Sequence, residues 1–250
     1  MIQDLHSHTY YSFCGKDNPE SIINAAIDGG IELFGISDHN YGIGYGRADF
    51  FKPEYSVLND NYGRNLTKYF DHIKLLKEKY SEKIKILSGI EVCTWSKQNL
   101  YNLPENQDIS FFDYCLVESL SMPKDETVTK GDIFSYADRC GCPAVGIAHT
   151  DMFSFIKSIG EDPYKYFKKM AEQNIFWEMN VSFDSIHNYR EHQFMLEFFK
   201  SEEQQEIIKK SGVRLSVGFD GHRVEDYLPE RIKEYCEKIK SLGIKLAFEE

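Results

Sequence analysis

Short runs of aliphatic and β-branched residues recur along the chain, each followed by a polar stretch and then by apolar positions spaced three or four apart. Such alternation builds parallel sheets or barrels. Strands are expected at 2–5, 33–37, 84–90, 114–120, 144–148, 175–179 and 213–218, with a short terminal one at 244–248. The helices between them carry readable ends. Asn18 is a good N-cap, Pro19 fits the first helical position, Ile22, Ile23, Ala26 and Ile27 share a face, and Gly29-Gly30 stops the run. Leu66, Tyr69, Ile73, Leu76 and Tyr80 repeat at helical spacing and should pack on a sheet. Asp162-Pro163, Ser201 with Gln204, and Pro229 ahead of Ile232, Tyr235, Ile239 and Leu242 open three more helices. With no repeat, low-complexity tract or linker to divide it, the chain reads as a single domain of seven or eight β/α units.

Charge narrows what such a domain binds. The 250 residues hold 29 Lys and Arg against 40 Asp and Glu, a formal net charge of −11. A surface this acidic repels phosphate backbones, so no duplex nucleic acid is expected as a partner. No apolar run reaches the roughly 18 residues of a membrane helix, so no membrane partner is expected either. Residues 1–9 lack the pattern of a secretory signal, which makes the cytoplasm the expected compartment and reduced thiols the expected state of the six cysteines.

Placing His, Asp and Glu on the expected strands reveals the candidate chemistry. His6 and His8 leave the first strand, Asp38 and His39 the second, Glu91 the third, His149 the fifth, and Asp220 and His222 the seventh. All fall at C-terminal strand ends, which in a closed parallel barrel meet at one rim. Because side-chain direction has period 2 in extended chain, His6 and His8 face one way, as do Asp220 and His222. Imidazoles mixed with carboxylates suit zinc, manganese or iron, and a carboxylate such as Glu91 can bridge two ions.

The segments DLHSHT at 4–9, ISDHN at 36–40, GIE at 89–91, AHT at 148–150 and FDGH at 219–222 resemble, in order, the successive motifs of the PHP (polymerase and histidinol phosphatase) family. The resemblance implies an α/β fold, a distorted TIM-like (β/α)7 barrel. It also implies a centre of two or three divalent ions (Zn, Mn or Fe) and hydrolysis of phosphoric esters. Carried across residue by residue, His6, His8, Glu91 and Asp220 would hold one metal, His39 and His222 a second, and Glu91 with His149 a third, with Asp220, His222 and Glu91 closest to catalysis. Two positions depart from the pattern. Cys14 stands near a further family histidine, where a thiolate could replace it as ligand or a buried thiol could simply pack. At the end of the fourth strand the expected histidine falls on Leu120, while Glu118 two residues earlier could reach the rim and would then need a metal or cationic partner.

Supporting positions follow. Asp4 and Asp38 are expected to accept imidazole N–H bonds, though Asp38 could bind metal itself, and Glu178 and Asn180 to line the site behind the ligands. Arg47, Lys124, Arg190 and Arg223 form the pool for a phosphate clamp. His72 reads as a surface residue, as do His187 and His192, although either of these two could reach the substrate; Cys140-Gly141-Cys142 reads as structural, and the glycine-rich 42–46 segment as a rim loop. Divalent ions would generate hydroxide from bound water and neutralise phosphoryl charge, so the expected substrate is a small-molecule phosphomonoester. No GxSxG elbow or P-loop offers a competing nucleophile or phosphate cradle. A phosphodiesterase or nucleotide phosphatase on the same metals, and a binding module with a decayed site, are the alternatives. A metal-dependent amide hydrolase would need a bridging Lys that no strand end supplies. Oligomeric state is not legible.

Overall fold

The computed structural model describes residues 1–46, 61–96 and 101–249. Seven strands, β1 (Gln3–Asp4), β2 (Leu33–Ile36), β3 (Lys85–Cys93), β4 (Tyr114–Glu118), β5 (Val145–Ile147), β6 (Ile175–Asn180) and β7 (Leu215–Gly218), pair in parallel in chain order. The ring closes where Leu5 N donates to Val217 O at 2.9 Å and Asp220 N to His6 O at 2.7 Å. The result is an α/β TIM-like barrel with its helices outside.

Among the described residues those helices are α1 (Pro19–Asp28), α2 (Asn40–Tyr45), α3 (Tyr62–Tyr80), α4 (Ile133–Cys140), α5 (Met152–Ser158), α6 (Pro163–Glu172), α7 (Gln193–Phe198), α8 (Glu202–Ser211) and α9 (Pro229–Ser241). The capping signals act as expected: Asn18 accepts from Ser21 N at 2.9 Å, and Ser201 from Gln204 N at 3.3 Å. Leu66, Tyr69, Ile73, Leu76 and Tyr80 of α3 are all buried. No helix among the described residues is long and apolar enough to cross a membrane.

Two expectations need correction. Residues 244–248 form no strand of the sheet: Leu246 makes one isolated bridge to Leu215, and Phe248 turns away with φ +60°. Residues 42–45 are no rim loop but part of the buried helix α2. Their glycines serve close packing, since a Cβ at Gly42 would lie 2.8 Å from Tyr11 O and one at Gly44 2.1 Å from Tyr62 Cε2.

The barrel interior is filled rather than open. Tyr114, fully buried, crosses it and donates to Leu5 O at 2.6 Å. Its ring occupies the space a side chain at Gly89 would need, with a Cβ there only 2.4 Å from Tyr114 Cζ. Gly89→Ala should therefore overpack the barrel and lower unfolding free energy by about 1–3 kcal/mol, measured by urea denaturation. A change within error would show that Tyr114 can move aside.

Candidate metal centre

The strand ends deliver their side chains to one point. Glu91, 1% exposed, lies near four imidazoles: His6 Nε2 at 3.4 Å, His8 Nε2 at 3.4 Å, His39 Nδ1 at 2.8 Å and His149 Nε2 at 3.2 Å. Asp220 Oδ1 stands 3.4 Å from His6 Nε2 and 3.0 Å from His8 Nε2. His222 stacks on His8 with centroids 4.5 Å apart. Backbone geometry is specialised here, because His149 and Asp220 both adopt positive φ (+25° and +55°). Such conformations are costly for non-glycine residues and recur at functional sites.

Burial opposes every charge in this ring, and the neighbours decide the outcome. Against burial, His39 and His6 hold Glu91 well below the usual carboxylate range. In the same way His6, His187 and His8 hold Asp220 low. Asp220, Glu178 and Glu91 outweigh burial to raise His6 well above its ordinary value, and Glu91 does so for His39. His149 is pushed up to about 9 against burial, chiefly by Glu91. Burial, reinforced by His222 and His39, drives His8 down to about 3.

The donor set fits divalent cations. A neutral His8 has one proton for two nitrogens, yet Nδ1 faces Ser12 Oγ at 3.3 Å while Nε2 faces His6 Nε2 at 3.1 Å and Asp220 Oδ1 at 3.0 Å. His6 faces the same point with Nε2, since Nδ1 donates to Glu178 Oε1 at 2.7 Å. Glu91 Oε2 and His39 Nδ1 are buried without a hydrogen-bond partner of good geometry. Lone pairs therefore outnumber protons, an imbalance that bound cations would relieve. Ligand atoms of His6, His8 and Asp220 lie within 4.8 Å of one another, as do those of His8, Cys14 and His39, and those of His39, Glu91 and Glu118. Burial raises the Cys14 thiol, but hydrogen bonds with His222 and His39 outweigh it and hold the thiol below its ordinary value, as a thiolate ligand requires. Glu118 Oε1 reaches within 3.5 Å of His39 Nδ1, whereas Leu120 is core.

The supporting residues differ from expectation. Neither Asp4 nor Asp38 accepts an imidazole N–H. Asp4 instead ties β1 to β7, accepting from His6 N at 3.2 Å, Phe219 N at 2.9 Å and Tyr227 Oη at 2.9 Å. Asp38 accepts from Thr9 N, Thr9 Oγ1, Ser12 N and Ser12 Oγ, at 2.7, 2.7, 3.0 and 2.6 Å. It reaches the ring through Ser12, whose Oγ contacts His8 and accepts from His39 N at 2.9 Å. Backbone amides at strand ends are nearer than the rings, and they claim both carboxylates. The carboxylate that orients an imidazole is Glu178: it also accepts from His149 N at 2.7 Å, and Asn180 Nδ2 joins it at 3.3 Å. Glu178→Gln should weaken divalent-ion affinity roughly 10- to 100-fold by freeing the His6 ring, as read by competition with a chelating dye. Unchanged affinity would show that the ring is held otherwise.

Among the expected clamp residues, Arg47 lies outside the described residues. Arg190 is exposed. Arg223 points toward Glu225, 3.8 Å away. Lys124 lines a separate cavity of about 420 Å³ with Lys130, Lys165 and Lys169. Among the described residues no Lys or Arg pairs with Glu91, Glu118, Glu178, Asp184 or Asp220.

The surface reading of His187 and His192 fails. Asp184 anchors His187, whose Nε2 lies 3.1 Å from Asp220 Oδ2, and His192 stacks on His149 at 6.2 Å. Asp184 was missed altogether; its spacing of three from His187, on the loop after β6, was the available signal. His72 stays outside the ring, bonded to Tyr11 Oη at 2.9 Å. All six cysteines are free thiols, and Cys142 Sγ donates to Ile109 O at 3.2 Å.

Comparisons with known proteins agree with this architecture. A model of the PHP domain matches residues 4–244. The chain is similar to the solved structure of histidinol phosphate phosphatase from Lactococcus lactis subsp. lactis Il1403, complexed with zinc, L-histidinol and phosphate. The two are 18% identical over 98% of this chain and 95% of that one, with a TM-score of 0.54. A Listeria monocytogenes protein named histidinol phosphatase hisK aligns over 98% of this chain and 93% of its own at 17% identity and a TM-score of 0.42. No curated protein matches the chain.

Proposed function

Because the chain belongs to the PHP domain family, and is thereby a metal-dependent phosphoesterase, we propose that it hydrolyses a small-molecule phosphomonoester of the histidinol phosphate type. The observation that carries this reading is the ring itself: four imidazoles around a buried Glu91, with Asp220 closing it and no lysine or arginine among the described residues to neutralise either carboxylate. The L-histidinol and phosphate held by the Lactococcus lactis enzyme support the substrate class.

His6, His8, Glu91 and Asp220 would hold one ion. Cys14, whose thiol meets both His39 and His222, would hold a second with them, and Glu91 with His149, 3.2 Å away, a third, with Glu118 available beside His39 and Glu91. Divalent ions bound there would acidify coordinated water and neutralise phosphoryl charge. The chain's own groups set the geometry. Glu178 fixes the His6 ring and the His149 backbone, and Asp38 acts through Ser12 on His8 and His39. Asp220, held ionised by His6, His187 and His8, suits ligation or accepting a proton from water better than protonating a leaving alkoxide.

The test is phosphate release from histidinol phosphate, sugar phosphates, nucleotides and a phosphodiester, after reconstitution with Zn, Mn or Fe. Release from a monoester supports the proposal. Turnover confined to the phosphodiester would move the reaction class, and no release with any metal would overturn it.

A further inference from the structure

We propose that the cavity between α4 and α6 binds a compact polyanion, diphosphate being the simplest of its class. The cavity shares no residue with the metal centre, so the inference stands apart from the phosphatase reading. Its volume of about 420 Å³ falls within the roughly 300–1,000 Å³ of small-molecule sites. Lys124 and Lys130, on the loop after β4, line it together with Lys165 and Lys169 of α6. Against these four ammonium groups the lining sets two acids, Asp132 and Glu161, an excess of positive charge on a chain whose net charge is −11. Asp132 is committed to the start of α4, accepting from Phe134 N and Ser135 N, each at 3.1 Å, and from Ser135 Oγ at 2.7 Å. Lys77, Lys79 and Lys233 elsewhere pair with carboxylates, whereas among the described residues none of the four cavity lysines does.

Local packing holds the amines in place. Lys169 Nζ sits over the Phe134 ring, 3.8 Å from its centroid. The stem of Lys124 lies along Gly131, where a Cβ would come within 3.5 Å of Lys124 Cδ and Cε and 3.3 Å of Ile159 Cγ2. Lys130 adopts φ +49°, a conformation costly for lysine, and the bonds from Lys130 N to Thr127 O and from Asp132 N to Thr129 O maintain it. An independent sign that the cavity takes an acceptor is Tyr166 Oη, buried without a hydrogen-bond partner on a residue of the same lining. The lining is therefore rich in donors and short of acceptors. Gathered ammonium groups repel one another, and a singly charged ion leaves most of them unpaired. An anion with two adjacent phosphoryl groups meets several at once.

The experiment labels the full chain with limiting acetic anhydride at matched ionic strength, with and without methylenediphosphonate, whose P–C–P link resists hydrolysis. Peptide mass spectrometry reads each lysine. The proposal expects saturable protection of Lys124, Lys130, Lys165 and Lys169, their labelling falling ~3-fold at an anion concentration twice its Kd. Lys74 on α3 and Lys209 on α8 should label at an unchanged rate. In K130Q/K169Q the concentration that protects Lys124 and Lys165 should rise at least ~10-fold, because two charge-assisted hydrogen bonds are lost. K124Q/K165Q gives the converse reading at Lys130 and Lys169. Cavity lysines that are protected no more than Lys74, or protection undiminished in both double variants, overturns the site and leaves the metal centre standing.

Discussion

Glu91→Gln is expected to remove bound metal and to lower phosphate release by at least ~10³-fold, the loss of several kcal/mol of charge stabilisation in the transition state. Glu91 sits at the end of β3, 1% exposed, with four imidazole nitrogens within 3.4 Å. Gln keeps the volume but surrenders the charge and one acceptor oxygen, so it can neither bridge ions nor balance the imidazoles. Because the substitution is nearly isosteric, thermal unfolding should report an intact fold. Elemental analysis and steady-state phosphate release check the prediction together, and a variant within a few-fold of the parent in both would remove Glu91 from the centre.

Chelation is expected to make stability pH-dependent. In the metal-free protein His6 and His39 titrate well above their ordinary value and His149 at about 9, whereas in the unfolded chain all three titrate near ~6.5. Their stabilising contribution is complete below about pH 6.5; that of His149 is lost as the pH rises through about 9, and those of His6 and His39 are lost well above the ordinary imidazole range. Glu91 and Asp220, held low, contribute stability that is present above about pH 4.5 and does not change across this window. Metal-bound imidazoles are neutral, so the loaded protein has no such protons to lose. The gap between loaded and chelated protein in urea unfolding should therefore widen by a few kcal/mol between about pH 6 and 9. Parallel curves would contradict a ring charged by its histidines when metal is absent.

How far the sequence could be read depended on the kind of interaction. His6, His8, His39, Glu91, His149, Asp220 and His222 were legible because each ends a strand, and parallel strands put their C-terminal ends on one rim. The barrel, α1 and α3 followed from periodicity and caps. Interactions set by close packing were hidden. The glycines at 42 and 44 read as a loop because their role is to let Tyr11 and Tyr62 approach. Competition for hydrogen bonds was hidden too: Asp4 and Asp38 are beside histidines in sequence, yet backbone amides of Phe219, Thr9 and Ser12 reach them first. Glu178 orients His6 from 172 residues away, a pairing that exists only once β6 and β7 bring the barrel round to β1. His187 and His192 lie on a polar loop whose composition says surface, and only the loop's return over Asp220 and His149 brings them in.

The most direct measurement of the central claim is anomalous X-ray scattering at the zinc edge, on crystals of the full chain grown with zinc. Peaks enclosed by His6, His8, Glu91 and Asp220, with a second beside Cys14, His39 and His222, are the predicted result. A map with no anomalous density among these side chains would contradict it.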